Sequence, residues 1–236
     1  MENVNPELKN YIQTNVFPEY ALNDRGHQMG HVNYVIRRSL DFASQTPGTD
    51  PNMAYTIAAY HDVKCHVDRE RHEELSAAAL KSDMGLRQFF SEEQIQTMSD
   101  AVEDHRGSKY GPPRSVYGRI VSSADRPTDL AAIMKKTYQY RENTHDFESN
   151  LVESHEILQE RFGPGGKSVD KMYFKDAEYE KFISDMRQAL DDPEIFRARF
   201  TEAAESARRD AELQKALDTA ARLPQSMPQA DFQTSF

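Results

Sequence analysis

Apolar residues along this chain recur with a helical period rather than a strand period. Between residues 31 and 42, Val32, Val35, Ile36, Leu40 and Phe42 fall near i, i+3, i+4 and i+8, with Arg37 and Arg38 on the far side. Thr46-Pro47-Gly48 ends that run. Residues 53–60, from Met53 to Tyr60, form the most apolar window of the N-terminal half and predict a central, buried helix leading into His61-Asp62. A further helix is expected from about Glu70 to Lys81. Another opens at Ser91, where Ser91 and Gln94 have capping-box spacing and Ile95, Met98 and Val102 form an inner stripe running up to His105. After the turn-rich residues 107–113, a helix near 115–125 carries Val116, Ile120 and Val121, and Pro127 predicts the start of one through Leu130, Ile133 and Met134. No run of alternating β-branched residues marks a strand. The expected fold class is therefore all-α.

The strongest later break is Gly163-Pro164-Gly165-Gly166. It predicts a helical domain over 1–162 and a helical extension over 163–222, the latter built from two charged helices within 174–221 that split near Asp191-Asp192-Pro193. Residues 223–236 read as a disordered tail. The stretch GPGGKS at 163–168 is a linker rather than a phosphate loop. That pattern needs a glycine five residues before Gly166, and position 161 is arginine.

Composition narrows the function classes. With 38% hydrophobic and 29% charged residues, the apolar positions must be gathered into stripes. No stretch approaches the roughly 18 consecutive apolar residues of a membrane span, and the N-terminus has neither a basic region nor an apolar one. No membrane partner is expected. A net charge of −10 disfavours a nucleic-acid polymer, which is held chiefly by clustered Lys and Arg. Cys65 is the single cysteine, which excludes an internal disulfide and a multi-cysteine zinc site and fits a reducing cytoplasm.

The chemistry concentrates at a His-Asp dipeptide. Two copies occur, and His145-Asp146 sits in a polar run, where it serves as an internal control. His61-Asp62 instead ends an apolar run, where an ionised Asp costs several kcal/mol unless a partner or metal compensates it. Compensation is available if His31, on the inner face of an earlier helix, and Asp125, closing the apolar run RIVSSAD, face the same cavity. Two imidazoles and two carboxylates around a divalent cation leave a locally neutral core. Mixed nitrogen and oxygen ligation suits Mn, Fe, Co, Ni or Zn better than Ca.

With GHQMGHV carrying His31, AAYHD carrying His61 and Asp62, and SSADR carrying Asp125, the chain resembles the HD superfamily of metal-dependent phosphohydrolases. RHEELSA and AVEDHR extend the resemblance over about residues 20–140. It implies an HD-domain helical bundle with one or two divalent metals in its core (Mn, Fe, Co, Ni, Zn or Mg). It implies hydrolysis of a phosphate ester or anhydride in a nucleotide or other small phosphorylated compound. His72 and His105 become candidates for a second metal position, as extra histidines are in two-metal and diiron relatives. Directly after the HD pair this chain has Val63-Lys64, where many relatives carry acidic or glycine residues.

Residues 105–126 set five cations, Arg106, Lys109, Arg114, Arg119 and Arg126, against the single acid Asp125. Cations beside a metal would bind phosphate oxygens and offset charge developing in transfer. Lys64, Arg106, Lys109 and Arg126, with His27 one turn before His31, are the expected phosphate contacts. Asp62 and Lys64 are the expected catalytic pair, Asp62 both ligating and orienting the water. His66 is expected in a loop and His155 on a charged helix face. Two alternatives stay open: a diiron oxygenase, which needs both His72 and His105 as ligands, and a non-catalytic HD module acting as a sensor or interaction platform.

Overall fold

Helix α3 (Pro51–Tyr60) is wrapped on all sides. Every side chain from Met53 to Tyr60 is buried. Asp50 caps its start through the Asn52 amide, and Pro51 takes the first-turn position where no amide hydrogen is needed. Around it stand α1 (Pro6–Asn15), α2 (Met29–Ser44), α4 (His72–Ser82), α5 (Glu92–Asp104) and α6 (Val116–Ala124). Their apolar stripes close one core with Leu8, Val32, Val35, Ile57, Leu80, Met98, Val102 and Ile120 at its centre. The capping box at Ser91 and Gln94 forms as its spacing predicts. The computed structural model describes residues 4–106, 111–169 and 172–221, and among them every regular element is helical. No helix among the described residues is long and apolar enough to cross a membrane.

A second core gathers α7 (Leu130–Arg141), α8 (Phe147–Phe162), α9 (Ala177–Asp191) and α10 (Pro193–Ala221) around Met134, Leu158, Phe162, Phe182, Met186 and Phe200. The two buried clusters divide between Ala124 and Met134, and residue 163, the expected boundary, falls inside the second. Two helix starts lie later than expected, each for a capping reason. The helix expected at Pro127 begins at Leu130, because the Asp129 carboxylate accepts the Ala132 amide. The helix expected from 174 begins at Ala177 behind Asp176, which accepts the amides of Glu178 and Tyr179. Helices α1 and α8 had cap signals of their own: Asn5-Pro6 opens the first, and Asp146 caps the second through Ser149. The residues 223–236, expected as a tail, lie outside the described residues.

Arg38 joins the two cores. It is buried on α2, and its guanidinium donates to the carbonyls of Ala124 (3.2 Å) and Arg126 (2.6 Å) and forms an ion pair with Asp176 at the head of α9. Tyr34 donates to the same Arg126 carbonyl at 2.6 Å, and Phe42 stacks on Phe174 with centroids 5.0 Å apart. The turn after α6 is thus held from both sides. Arg38→Ala removes the ion partner of the Asp176 carboxylate and the side-chain donor to the Ala124 carbonyl, so it should lower stability by about 3–5 kcal/mol in urea denaturation. A loss below about 1 kcal/mol would show that the pair does not carry the junction.

Candidate metal centre

Three helices of the first core end at one place. His61 follows the last residue of α3, His105 the last of α5, and Asp125 the last of α6. Helix C-termini leave carbonyls without intrahelical partners and carry partial negative charge, which favours cations. Two imidazoles use those carbonyls: Nδ1 of His61 meets the Ala58 carbonyl at 2.7 Å, and Nδ1 of His105 meets that of Val102 at 2.6 Å. His72, the first residue of α4, does the same with the Arg69 carbonyl at 2.9 Å. A carbonyl only accepts, so each Nδ1 carries the proton and each Nε2 turns a lone pair inward.

Those lone pairs converge around Asp62, which is only 3% exposed. Its Oδ2 stands 3.5 Å from His31 Nε2 and 3.4 Å from His61 Nε2. Its Oδ1 stands 3.2 Å from His72 Nε2 and 3.5 Å from His105 Nε2. Asp125 Oδ1 lies 3.1 Å from His31 Nε2. Nε2 of His61 faces that of His31 at 3.1 Å, and Nε2 of His72 faces that of His105 at 3.2 Å. Two imidazole lone pairs at such a distance repel unless a cation or proton lies between them. The donor set therefore fits a metal ion, and the buried groups His31, His61, Asp62 and Asp62, His72, His105 could hold one.

The charges follow the same geometry. Burial opposes ionisation of Asp62, but His61, His105 and His31 hold its carboxyl well below the usual range. Burial likewise opposes ionisation of Asp125, and the hydrogen bond from His31 outweighs it. Burial disfavours a charged His31 ring, yet the Asp125 and Asp62 carboxylates hold its imidazolium up to about 10. The lower-lying group Asp24, His27 and Cys65 is differently committed. Both Asp24 oxygens lie 2.9 Å from His27 Nδ1, Arg69 reaches Asp24 at 3.1 Å, and burial with Asp62 and Asp24 pushes the Cys65 thiol up to about 11.

The structure thus brings together His31, His61, Asp62 and Asp125 and adds His72 and His105, the pair considered for a second position. The expected phosphate contacts fare differently. Lys64 turns its ammonium to Glu19. Arg106 donates to the Glu70 carbonyl and to Glu73 at 3.1 Å. Arg114, from the same basic run, forks onto Asp104 and also meets Glu103 and Asp100. Lys109 lies outside the described residues. Arg126 is buried beside Asp125, and His27 stands at the rim with its ring 5.9 Å from that of His31. His66 bonds Asn23, His155 bonds the Leu190 carbonyl in the second core, and His145 bonds Glu153. Sequence reasoning passed over Lys136 on α7, whose ammonium sits 3.4 Å from His27 Nε2. Its position in a charged helix offers no signal that separates it from solvent-facing lysines.

His31 carries a proton at neutral pH that a bound cation must displace. Metal affinity should therefore rise with pH from 6 towards 10. Calorimetric binding enthalpies at pH 7 should vary between buffers in proportion to their ionisation enthalpies, reporting release of about one proton. Affinity independent of pH across that span would contradict the ligand role of His31. His61→Ala should reduce metal retention, removing the ion held with His31 and Asp62. In the control pair, His145→Ala should leave it intact, and Asp146→Ala should cost about 1 kcal/mol of stability through its lost cap and no metal.

No protein-family model matches this chain, and neither a curated protein nor a solved structure matches it, so the functional reading rests on the residues themselves.

Proposed function

We propose that this chain is a metal-dependent hydrolase of a phosphate ester or anhydride in a nucleotide or other small phosphorylated compound, and that its centre takes two divalent cations. The observation that carries this reading is the division of Asp62, one carboxylate oxygen towards His31 and His61 and the other towards His72 and His105. The resemblance to HD phosphohydrolases points the same way. Divalent cations bound at such a centre supply Lewis-acid charge to a phosphoryl oxygen and lower the pKa of an attacking water.

The chain's own part is placement. Carbonyls three residues earlier fix His61, His72 and His105 as inward-facing donors, so the centre is preorganised before substrate arrives. Asp125 meets the same Nε2 of His31 as Asp62 does. His27, pinned through Nδ1 by Asp24, presents Nε2 towards Lys136 at the rim, where a substrate oxygen would meet the ammonium. Lys64 and Arg106, engaged with Glu19 and Glu73, act through those partners rather than on phosphate.

The same six donors favour a second reading. Four imidazoles and two carboxylates suit iron, and the oxygenase alternative required both His72 and His105 beside the HD pair. Elemental analysis separates the two readings. Purified protein should carry about two divalent metals per chain. His31→Ala and His72→Ala should each reduce that number by about one, and Asp62→Ala should remove both. A screen of nucleotides and small phosphoesters with Mn, Co, Ni and Mg should then show phosphate release that Asp62→Ala abolishes. Iron-loaded protein that consumes oxygen and releases no phosphate would favour the oxygenase. Protein that retains no metal would leave the non-catalytic module.

A further inference from the structure

Most cations near the centre already hold a carboxylate. Arg38 has Asp176, Lys64 has Glu19, Arg69 has Asp24, Arg106 has Glu73 and Arg114 has Asp104. Three do not. Arg126 follows the ligand Asp125 directly, is only 8% exposed, and its Nε and Nη2 find no hydrogen-bond partner among the described residues. A buried guanidinium left with unmet N–H groups is costly, and such sites call for an acceptor from outside the fold. Arg161 on α8 has only the Phe162 ring beneath it, 4.9 Å from the guanidinium carbon, and no carboxylate within ion-pair distance among the described residues. Among the described residues, Lys136 on α7 meets His27 alone as a polar partner. It is solvent-exposed and lies over Gly26, where a Cβ would stand 2.8 Å from Nζ.

We propose that Arg126 and Arg161, with Lys136 at the rim, form an anion subsite beside Asp125 for a second phosphate group of the same ligand whose first phosphate sits at the His31–Asp62–His72 centre. The inference rests on the proposed hydrolase reading for its chemistry, though not for anion binding itself. Guanidinia present planar pairs of N–H groups that match phosphate oxygens, so Arg126 gains the partners it lacks. The electrostatics agree. Burial and Arg126 lower the Arg161 guanidinium, which Asp125 raises. Burial and Arg69 lower the Lys136 ammonium against Asp24, Asp125 and Asp62. Mutual repulsion among unpaired cations is relieved by a bound polyanion. Lys136 and Arg161 come from helices of the second core and the metal ligands from the first, so a bridging ligand spans the junction that Arg38 holds.

The test uses tripolyphosphate and orthophosphate as probes on the full chain, by calorimetry and thermal shift, with and without Mn. Wild-type protein should bind tripolyphosphate at least tenfold more tightly than orthophosphate. Arg126→Met and Arg161→Met should each weaken tripolyphosphate binding by roughly tenfold, the effect of one charge-assisted hydrogen bond, and leave metal content and orthophosphate binding unchanged. Without ligand, Arg126→Met should melt at or above the wild-type temperature, because it removes a buried unpaired charge. With tripolyphosphate, wild type should gain melting temperature and the variant should gain little. Wild-type tripolyphosphate affinity in folded, metal-loaded variants would overturn the proposal, as would equal affinity of wild type for the two probes. Failure of the protein to hold metal, with tripolyphosphate binding still sensitive to both arginines, would sink the hydrolase reading and leave the anion subsite standing.

Discussion

One ionised carboxylate buried at the meeting of three helices sets the terms for the first half of this molecule. Asp62 is removed from water at a cost of several kcal/mol, which the protonated His31 ring and a cation held among the four imidazoles would offset. Each imidazole must then face inward. The chain achieves this for three of them with helix-end or turn carbonyls, which convert an ordinary termination problem into a fixed tautomer. The apolar run from Met53 to Tyr60 is the other half of the constraint. It drives α3 into the centre of the bundle and carries the His-Asp pair with it.

That logic explains what could be read from the sequence. Periodicity and punctuation sufficed for α2 to α6, because their apolar stripes and caps act within one or two turns. His61-Asp62 stood out because an acid closing an apolar run conflicts with burial unless something answers it, whereas His145-Asp146 in a polar run raised no such conflict. The convergence of His72 and His105 was suggested by the resemblance and by no local pattern in the sequence. Whether the start of α4 meets the end of α5 depends on how residues 83–91 turn the chain between them, and no local rule sets that distance.

The charge run at 105–126 marks the limit most clearly. Counting cations along a segment measures charge and not pairing. Arg106 and Arg114 are met by Glu73 and Asp104, and outside the run Lys64 is met by Glu19, 45 residues earlier. Arg126, at the end of the run, is left over, and so are Lys136 and Arg161, which sit in helices whose composition looks uniformly solvated. Lys136 is itself exposed, and only its 3.4 Å approach to His27 distinguishes it from lysines that face water alone.

Helix ends are also where a bundle loosens first, since their last hydrogen bonds open without disturbing the rest. Here three of them terminate in a single cluster, and a fourth element begins in it. Points that would ordinarily fray independently are tied into one cooperative knot, so opening any one of α3, α5 or α6 at its C-terminus must disturb the others. Amide hydrogens around residues 58–62, 102–105 and 121–125 are thereby set to exchange together rather than in turn.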